Sequence, residues 1–243
     1  MAVAAVLFDL FGTLVPPFRF HENRAAIRTC SEILQVDFET FHSLWSDMFI
    51  PRIRGDFDST AATFKRIVTD MDARPSGDQI LNAAVSYESF TASGLTPVSG
   101  AVDVLEWLVS HNIRVALVTN CAPDVPRIWR THRFASLFQH CAFSCNVRST
   151  KPEEAIYRYA LKGLRVHVHE TLYVGDGSDE ELTGAAKCGL RPVLVKTDLS
   201  NTYDTHRKDV TDWKGLSIES LIELPELIEQ NETDAYAAVS SGL

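Results

Sequence analysis

The stretch Val3-Ala4-Ala5-Val6-Leu7-Phe8-Asp9-Leu10-Phe11-Gly12-Thr13 decides the fold. Six apolar residues, rich in β-formers, end at an acid. Gly12-Thr13 then turns the chain, and Pro16-Pro17 breaks it. A run with no polar alternation suits a strand buried on both faces, as in a parallel sheet.

Its partners lie far along the chain. From Pro97 onward, helix and strand patterns alternate: helix Ala101–Ser110, strand Ile113–Val118, helix Asp124–Thr131, strand Cys141–Asn146, helix Pro152–Leu161, strand Thr171–Val174, helix Glu180–Cys188 closed by Gly189, strand Pro192–Val195, and a last amphipathic helix over Ile218–Glu229. Such alternation implies a parallel sheet wound with right-handed crossovers. Before Pro97 the pattern differs. Glu22–Leu34, Phe38–Ile50, Ser59–Met71 and Asp78–Ser89 read as amphipathic helices with no strand between them. The fold class is therefore α/β, a Rossmann-like parallel sheet core with an inserted α-helical domain. The core comprises 1–15 and 97–230, the insert 16–96, and a polar tail over 231–243 is expected to be disordered.

Composition narrows the function. The 243 residues are 45% hydrophobic, enough for a full core, and no apolar run approaches the ~18–20 residues of a membrane span. No basic stretch precedes the first apolar run, so no signal peptide is expected. The five cysteines form no Cys-x-x-Cys pair, which fits a cytoplasmic chain with reduced thiols. A net charge of −9 without a Lys/Arg run argues against nucleic acid as partner. Neither nucleic acid nor membrane is expected, and monomer and homodimer both remain open.

In open α/β sheets, ligands bind beyond the carboxyl ends of the strands. Those ends carry Asp9, Thr119-Asn120, and Asp176 followed by Asp179, Glu180 and Glu181, while Lys151-Pro152 opens the helix after the third strand. Carboxylates on neighbouring strand ends repel unless a hard cation lies between them. Mg²⁺ takes one or two carboxylates, waters and phosphate oxygens, so Asp9 and Asp176 are candidate ligands. A carboxylate can also attack phosphorus. The hydroxyls of Thr13 and Thr119, backbone N–H groups around Gly12 and Asn120, and the Lys151 ammonium are suited to hold the transferring oxygens. Arg19, His21, Arg52, Arg54 and Lys65 are the insert's candidate substrate contacts, although each also reads as an ordinary solvated charge. Trp45 and Phe49 read as core of the insert.

In that order, Asp9-Leu10-Phe11-Gly12-Thr13-Leu14, Val118-Thr119-Asn120, Lys151-Pro152 and Val174-Gly175-Asp176-Gly177-Ser178-Asp179-Glu180-Glu181 resemble the four motifs of the haloacid dehalogenase superfamily of hydrolases. The resemblance implies a mobile helical cap and Asp9 as nucleophile, with Thr119 and Lys151 holding a phosphoryl group. It also implies Mg²⁺ on Asp9, Asp176 and the backbone carbonyl of Phe11. Glu181 is the best match for the supporting acid, with Asp179 and Glu180 competing. The expected activity is hydrolysis of a small phosphorylated metabolite through an aspartyl-phosphate. One departure matters: family phosphatases carry an acid/base Asp where this chain has Phe11. A 2-haloacid dehalogenase, whose halide leaves without a proton, or a phosphonate hydrolase is one alternative, and a non-catalytic phosphate-binding regulator is another.

Overall fold

In the computed structural model, which describes residues 2–203 and 206–230, the opening stretch forms β1 (Ala5–Phe8). Five more strands follow: β2 (Arg114–Thr119), β3 (His140–Phe143), β4 (Thr171–Gly175), β5 (Arg191–Val195) and β6 (Leu216–Ile218). All pairings are parallel, in the order β3-β2-β1-β4-β5-β6. β1 is central, with Phe8 level with Leu117 on one side and Val174 on the other. Its side chains divide between two apolar layers. Val6 and Phe8 join Val115, Leu117, Leu172 and Val174 on one face, and Ala5 and Leu7 join Ala116, Val118 and Tyr173 on the other. This double burial is why the run shows no alternation.

Helices α6 (Ala101–Ser110) and α7 (Asp124–Trp129) cover the first face, and α9 (Glu154–Leu164) and α10 (Glu181–Cys188) the second. Between β1 and α6 lie α1 (Phe20–Leu34), α2 (Phe38–Asp47), α3 (Phe49–Ile53), α4 (Thr60–Asp70) and α5 (Gly77–Gly94). They bury a separate apolar cluster around Ile27, Phe41, Trp45, Phe64 and Tyr87. Three of them start on side-chain caps, α2 with Asp37 on Thr40, α4 with Ser59 on Ala62 and α5 with a reciprocal Ser76–Gln79 box.

The structure departs from the sequence pattern in three places. The helix expected over Phe38–Ile50 is interrupted at Met48, because Pro51 lacks the N–H to continue the ladder and is tolerated only in the first turn of α3. The third strand stops at Phe143, and Ser144 opens the short α8 (Ser144–Val147), its hydroxyl accepting from the N–H of Cys121 at 2.9 Å. Ile218 ends a sixth strand rather than beginning a helix. After a 3₁₀ turn at Leu221–Glu223 the helix runs over 224–230, with Pro225 in its first turn. The tail expected over 231–243 lies outside the described residues.

The segment joining β5 to β6 leaves the sheet and reaches the insert. Ser200 O accepts from Arg19 at 2.5 Å, Asn201 O from the Phe20 N–H at 2.7 Å, and the Tyr203 hydroxyl donates to Asn23 Oδ1 at 2.9 Å. Farther along, before and within α11 (Lys208–Thr211), Asp209 caps α10, accepting from the Thr183 N–H at 2.9 Å.

Candidate active site

The direction of strand order reverses at β1, with β2-β3 running one way and β4-β5-β6 the other. A crevice at such a switch point, at the carboxyl ends of the strands, is where an open sheet receives ligand. β1, β2 and β4 deliver Asp9, Thr119 and Asp176 there.

Asp9 is buried, and its N–H still donates to Val174 O at 2.9 Å, so the carboxylate position is fixed by the sheet ladder. Thr13 donates to Asp9 Oδ2 at 3.3 Å, and the Lys151 ammonium to Asp9 Oδ1 at 2.5 Å. Gly12 lies between Asp9 and Thr13 with φ +89°, and a Cβ there would sit 1.7 Å from Asp176 Oδ2. Only glycine permits that backbone and that approach. Asp176 thereby lies against the loop that carries Phe11.

Lys151 is positioned from two sides. Its N–H donates to Asn120 Oδ1 at 2.8 Å, and Asn120 Nδ2 donates to Lys151 O at 3.3 Å and to Asp179 Oδ2 at 2.7 Å. Asn120 thus clamps the lysine backbone, while its neighbour Thr119 presents a buried hydroxyl oxygen with no hydrogen-bond partner among the described residues. Lys151 also donates to Glu181 Oε2 at 2.5 Å. That oxygen accepts from the Tyr173 hydroxyl at 2.6 Å as well, and Glu181 Oε1 accepts from the Gly177 N–H at 2.9 Å.

Of the three competing acids, then, Glu181 points inward. Asp179 and Glu180 occupy left-handed backbone at φ +53° and +50°, and this turn delivers the following residue to the interior. Asp179 is held by Asn120, and Glu180 lies 3.7 Å from Lys208 at the surface. One carboxylate oxygen from each of Asp9, Asp176 and Glu181 lies within 4.8 Å of the others.

Burial pushes the Asp9 carboxyl up, Asp176 adds to the effect and Lys151 opposes it. Burial, with the charge of Asp9, raises Glu181 to about 8 against the pull of Lys151. For Lys151, burial favours the neutral form, yet Asp9 and Glu181 outweigh it and hold the ammonium well above its ordinary range. Burial and the nearby Glu181 push the Tyr173 phenol far up, so it remains a donor. The site is a lysine shared by two carboxyls, with a third beside them.

A cavity of about 380 Å³ opens over Asp9, between the strand ends and the insert. Phe11 lines it, its ring centroid 4.4 Å from that of Phe18. Arg52 lines it too and is no solvated surface charge. It is only 7% exposed, its guanidinium lies 3.5 Å over the Trp45 ring, and it donates to Met48 O and Trp45 O. Arg54 turns away, donating to Thr150 Oγ1 at 3.3 Å and pairing with Glu153 outside the cavity. Trp45 is core of the insert and cavity wall at once, whereas Phe49 is 45% exposed at the cavity edge. Arg207 was missed by sequence reasoning. It is buried and pairs with the Asp176 carboxylate, also donating to Asp176 O at 3.3 Å. It lies in an aperiodic polar segment, and the only hint of it was the need of an acid cluster for countercharge.

Residues 3–189 match a family model described as haloacid dehalogenase-like hydrolase. The chain is 22% identical over 240 residues to a glyceraldehyde 3-phosphate phosphatase of Methanocaldococcus jannaschii, covering 96% of this chain and all of that one. It is 25% identical to a ribulose-1,5-bisphosphate 5-phosphatase of Halopiger xanaduensis, covering 92% and 98%. Among solved structures, a 2-haloacid dehalogenase from Pseudomonas syringae pv. Tomato superposes with a TM-score of 0.68 at 22% identity, over 94% of this chain and 99% of that one, a likeness of fold.

Proposed function

The chain belongs to the haloacid dehalogenase-like hydrolases, and on that premise we propose that it is a magnesium-dependent phosphatase acting on a small phosphorylated metabolite through an aspartyl-phosphate on Asp9. One observation carries the reading: Asp9, held by the Lys151 ammonium, lines a cavity also lined by Thr119, whose hydroxyl has no partner among the described residues, with Asp176 alongside. Relatives spanning nearly the whole chain and named phosphatases support it.

The residues present fit a hard divalent cation. The bare Gly12 leaves Asp176 Oδ2 a place against the first loop and beside Asp9, and carboxylate oxygens so grouped are a donor set suited to Mg²⁺. When bound there, Mg²⁺ supplies charge neutralisation for the transferring phosphoryl oxygens. We assign direct ligation to Asp9, Phe11 O and Asp176. Glu181 lies in the same cluster, and we assign it the supporting acid's role expected of it, while it also holds Lys151 toward the cluster.

The remaining steps belong to the chain. An Asp9 carboxylate oxygen attacks phosphorus and displaces the alkoxide. Lys151, the Thr119 and Thr13 hydroxyls, and N–H groups of the Gly12 and Asn120 loops stabilise the oxygens as charge shifts onto them. Water then cleaves the acyl phosphate and restores Asp9. The helical segment 16–96 serves as the cap, placing Arg52 over the leaving group. Phe11 offers no proton to that group, so substrates with good leaving groups are favoured. The five cysteines are free thiols, in keeping with a reducing cytoplasm, and among the described residues no helix is long and apolar enough to cross a membrane.

The test is phosphate release from a panel of small phosphate esters, with Mg²⁺ and with EDTA, using wild type and Asp9→Asn. Mg²⁺-dependent release that falls to background in Asp9→Asn is the expected result, and activity retained by that variant sinks the mechanism. The apolar Phe11 favours a second reading, dehalogenation, in which halide leaves without a proton. Halide release from a 2-haloacid in EDTA would establish it.

A further inference from the structure

The acid cluster already carries a countercharge of its own. Asp9, Asp176 and Glu181 bring three carboxyl groups within 4.8 Å of one another, all buried. Lys151 contacts two of them, and Arg207 contacts the third, grasping both the carboxylate and the carbonyl of Asp176. A buried carboxylate left without partner is strongly destabilising, which gives this pairing a reason to exist in the absence of any metal. Arg207 comes from no family motif. It is carried by the segment between β5 and β6, and that segment is anchored on both sides: Asp209 caps α10 at Thr183, and Ser200, Asn201 and Tyr203 bond to Arg19, Phe20 and Asn23 of the insert.

We propose that Arg207 is the resident counter-cation of Asp176, and that a divalent cation enters this site by displacing it. The proposal rests on the metal reading above. Asp176 Oδ1 already accepts from the Ser178 N–H at 3.1 Å, and Oδ2 faces Arg207. A guanidinium at contact distance and a Mg²⁺ at ~2.0–2.1 Å would claim the same oxygen and repel each other. The apparent affinity of the site is then the intrinsic affinity reduced by the strength of the Arg207–Asp176 pair. Arg207 makes the empty site stable and the filled site weak enough to respond to the concentration of free cation.

The test is Mn²⁺ binding to the full chain, followed by electron paramagnetic resonance, for wild type and Arg207→Met. Arg207→Met is expected to bind Mn²⁺ about tenfold tighter or more, because the buried ion pair that competes for Asp176 Oδ2 is gone. In EDTA its thermal midpoint should lie below that of wild type, and saturating Mn²⁺ should raise it by more. Equal or weaker Mn²⁺ binding by the variant overturns the proposal, as does loss of inorganic phosphate binding with metal affinity unmoved. If neither protein binds Mn²⁺ at millimolar concentration, the metal reading falls and this proposal with it, an outcome distinct from equal finite affinities. Should Arg207→Met not fold in EDTA, the wild type decides. Its Arg207 Nη protons, which face Asp176 and are identified by their loss in Arg207→Lys, should exchange slowly with solvent without cation and quickly with saturating Mg²⁺. Exchange unaffected by Mg²⁺ overturns the proposal.

Discussion

Phe11 and Glu181 are the two residues at which the chemistry of this site becomes measurable. Phe11 stands two residues after the nucleophile and stacks toward Phe18, and that ring toward Phe90 of α5. Its aromatic contacts hold the loop to the insert but give the leaving oxygen no proton. If protonation limits the rate, Phe11→Asp should raise release of poor leaving groups by ~10²–10⁴-fold, the usual worth of general acid–base help. The measurement is kcat/KM across esters of graded leaving-group pKa, and an unchanged dependence on leaving group counts against the idea. Glu181 makes a different expectation. Burial, with the charge of Asp9, pushes its carboxyl up to about 8, against 4.5 ordinarily. Across that window the folded state binds more protons than the unfolded one, so this group's contribution to stability is present at the low end and lost as pH rises toward 8. In EDTA, the thermal midpoint of wild type should therefore fall between about pH 5 and about pH 8 more steeply than that of Glu181→Gln. Equal slopes would mean that Glu181 is ionised throughout.

Among the elements, α3 ties the insert to the core. Arg54, just past its end, bonds to Thr150 and pairs with Glu153, which flank Lys151, while Arg52 within it faces the cavity. Two positions on a helix are roughly 200° apart, so these two arginines look in nearly opposite directions. Arg54 and Glu153 are 44% and 40% exposed, so Arg54→Ala should cost less than ~1 kcal/mol in denaturant unfolding. It should still raise KM more than it lowers kcat, because it loosens the seat of Arg52 without touching Asp9. A variant with unaltered KM would show that α3 is held by its apolar contacts alone. The same element marks what the sequence made legible. β1 was readable because burial on both faces leaves an unbroken apolar run, and the strand ends then pointed to Asp9, Thr119 and Asp176. The direction of Arg52 was not, since it depends on where Pro51 breaks the helix. β6 was hidden because three residues carry too little pattern to separate a strand from a helix start. Arg207 was hidden for a deeper reason: its partner lies 31 residues away, and nothing local to either residue encodes the meeting.

For the molecule as a whole, the site joins one folded unit to the charge of the chain. The net charge is −9, and the acid cluster concentrates part of that repulsion in the interior at the centre of the sheet. The ligands proposed for Mg²⁺ all come from the core, just past β1, in its following loop and just past β4, whereas the insert buries its own apolar cluster around Phe41 and Phe64. A cation bound only by the folded core adds RT ln(1 + [L]/Kd) to its stability, about 2.7 kcal/mol at a hundredfold excess over Kd. For a chain of this length each kcal/mol moves the midpoint by about 2–4 °C. Calorimetry of wild type at such an excess of Mg²⁺ should therefore show the transition of the core about 5–10 °C above its value in EDTA. If the insert melts separately, its transition should stay where it was. Asp176→Asn should abolish the shift, because it removes one of two carboxylate ligands, while a substitution on the insert such as Arg54→Ala should leave it intact. A wild-type midpoint unmoved by millimolar Mg²⁺ would mean that Lys151 and Arg207 alone balance the cluster, and that the hydrolysis runs without a metal.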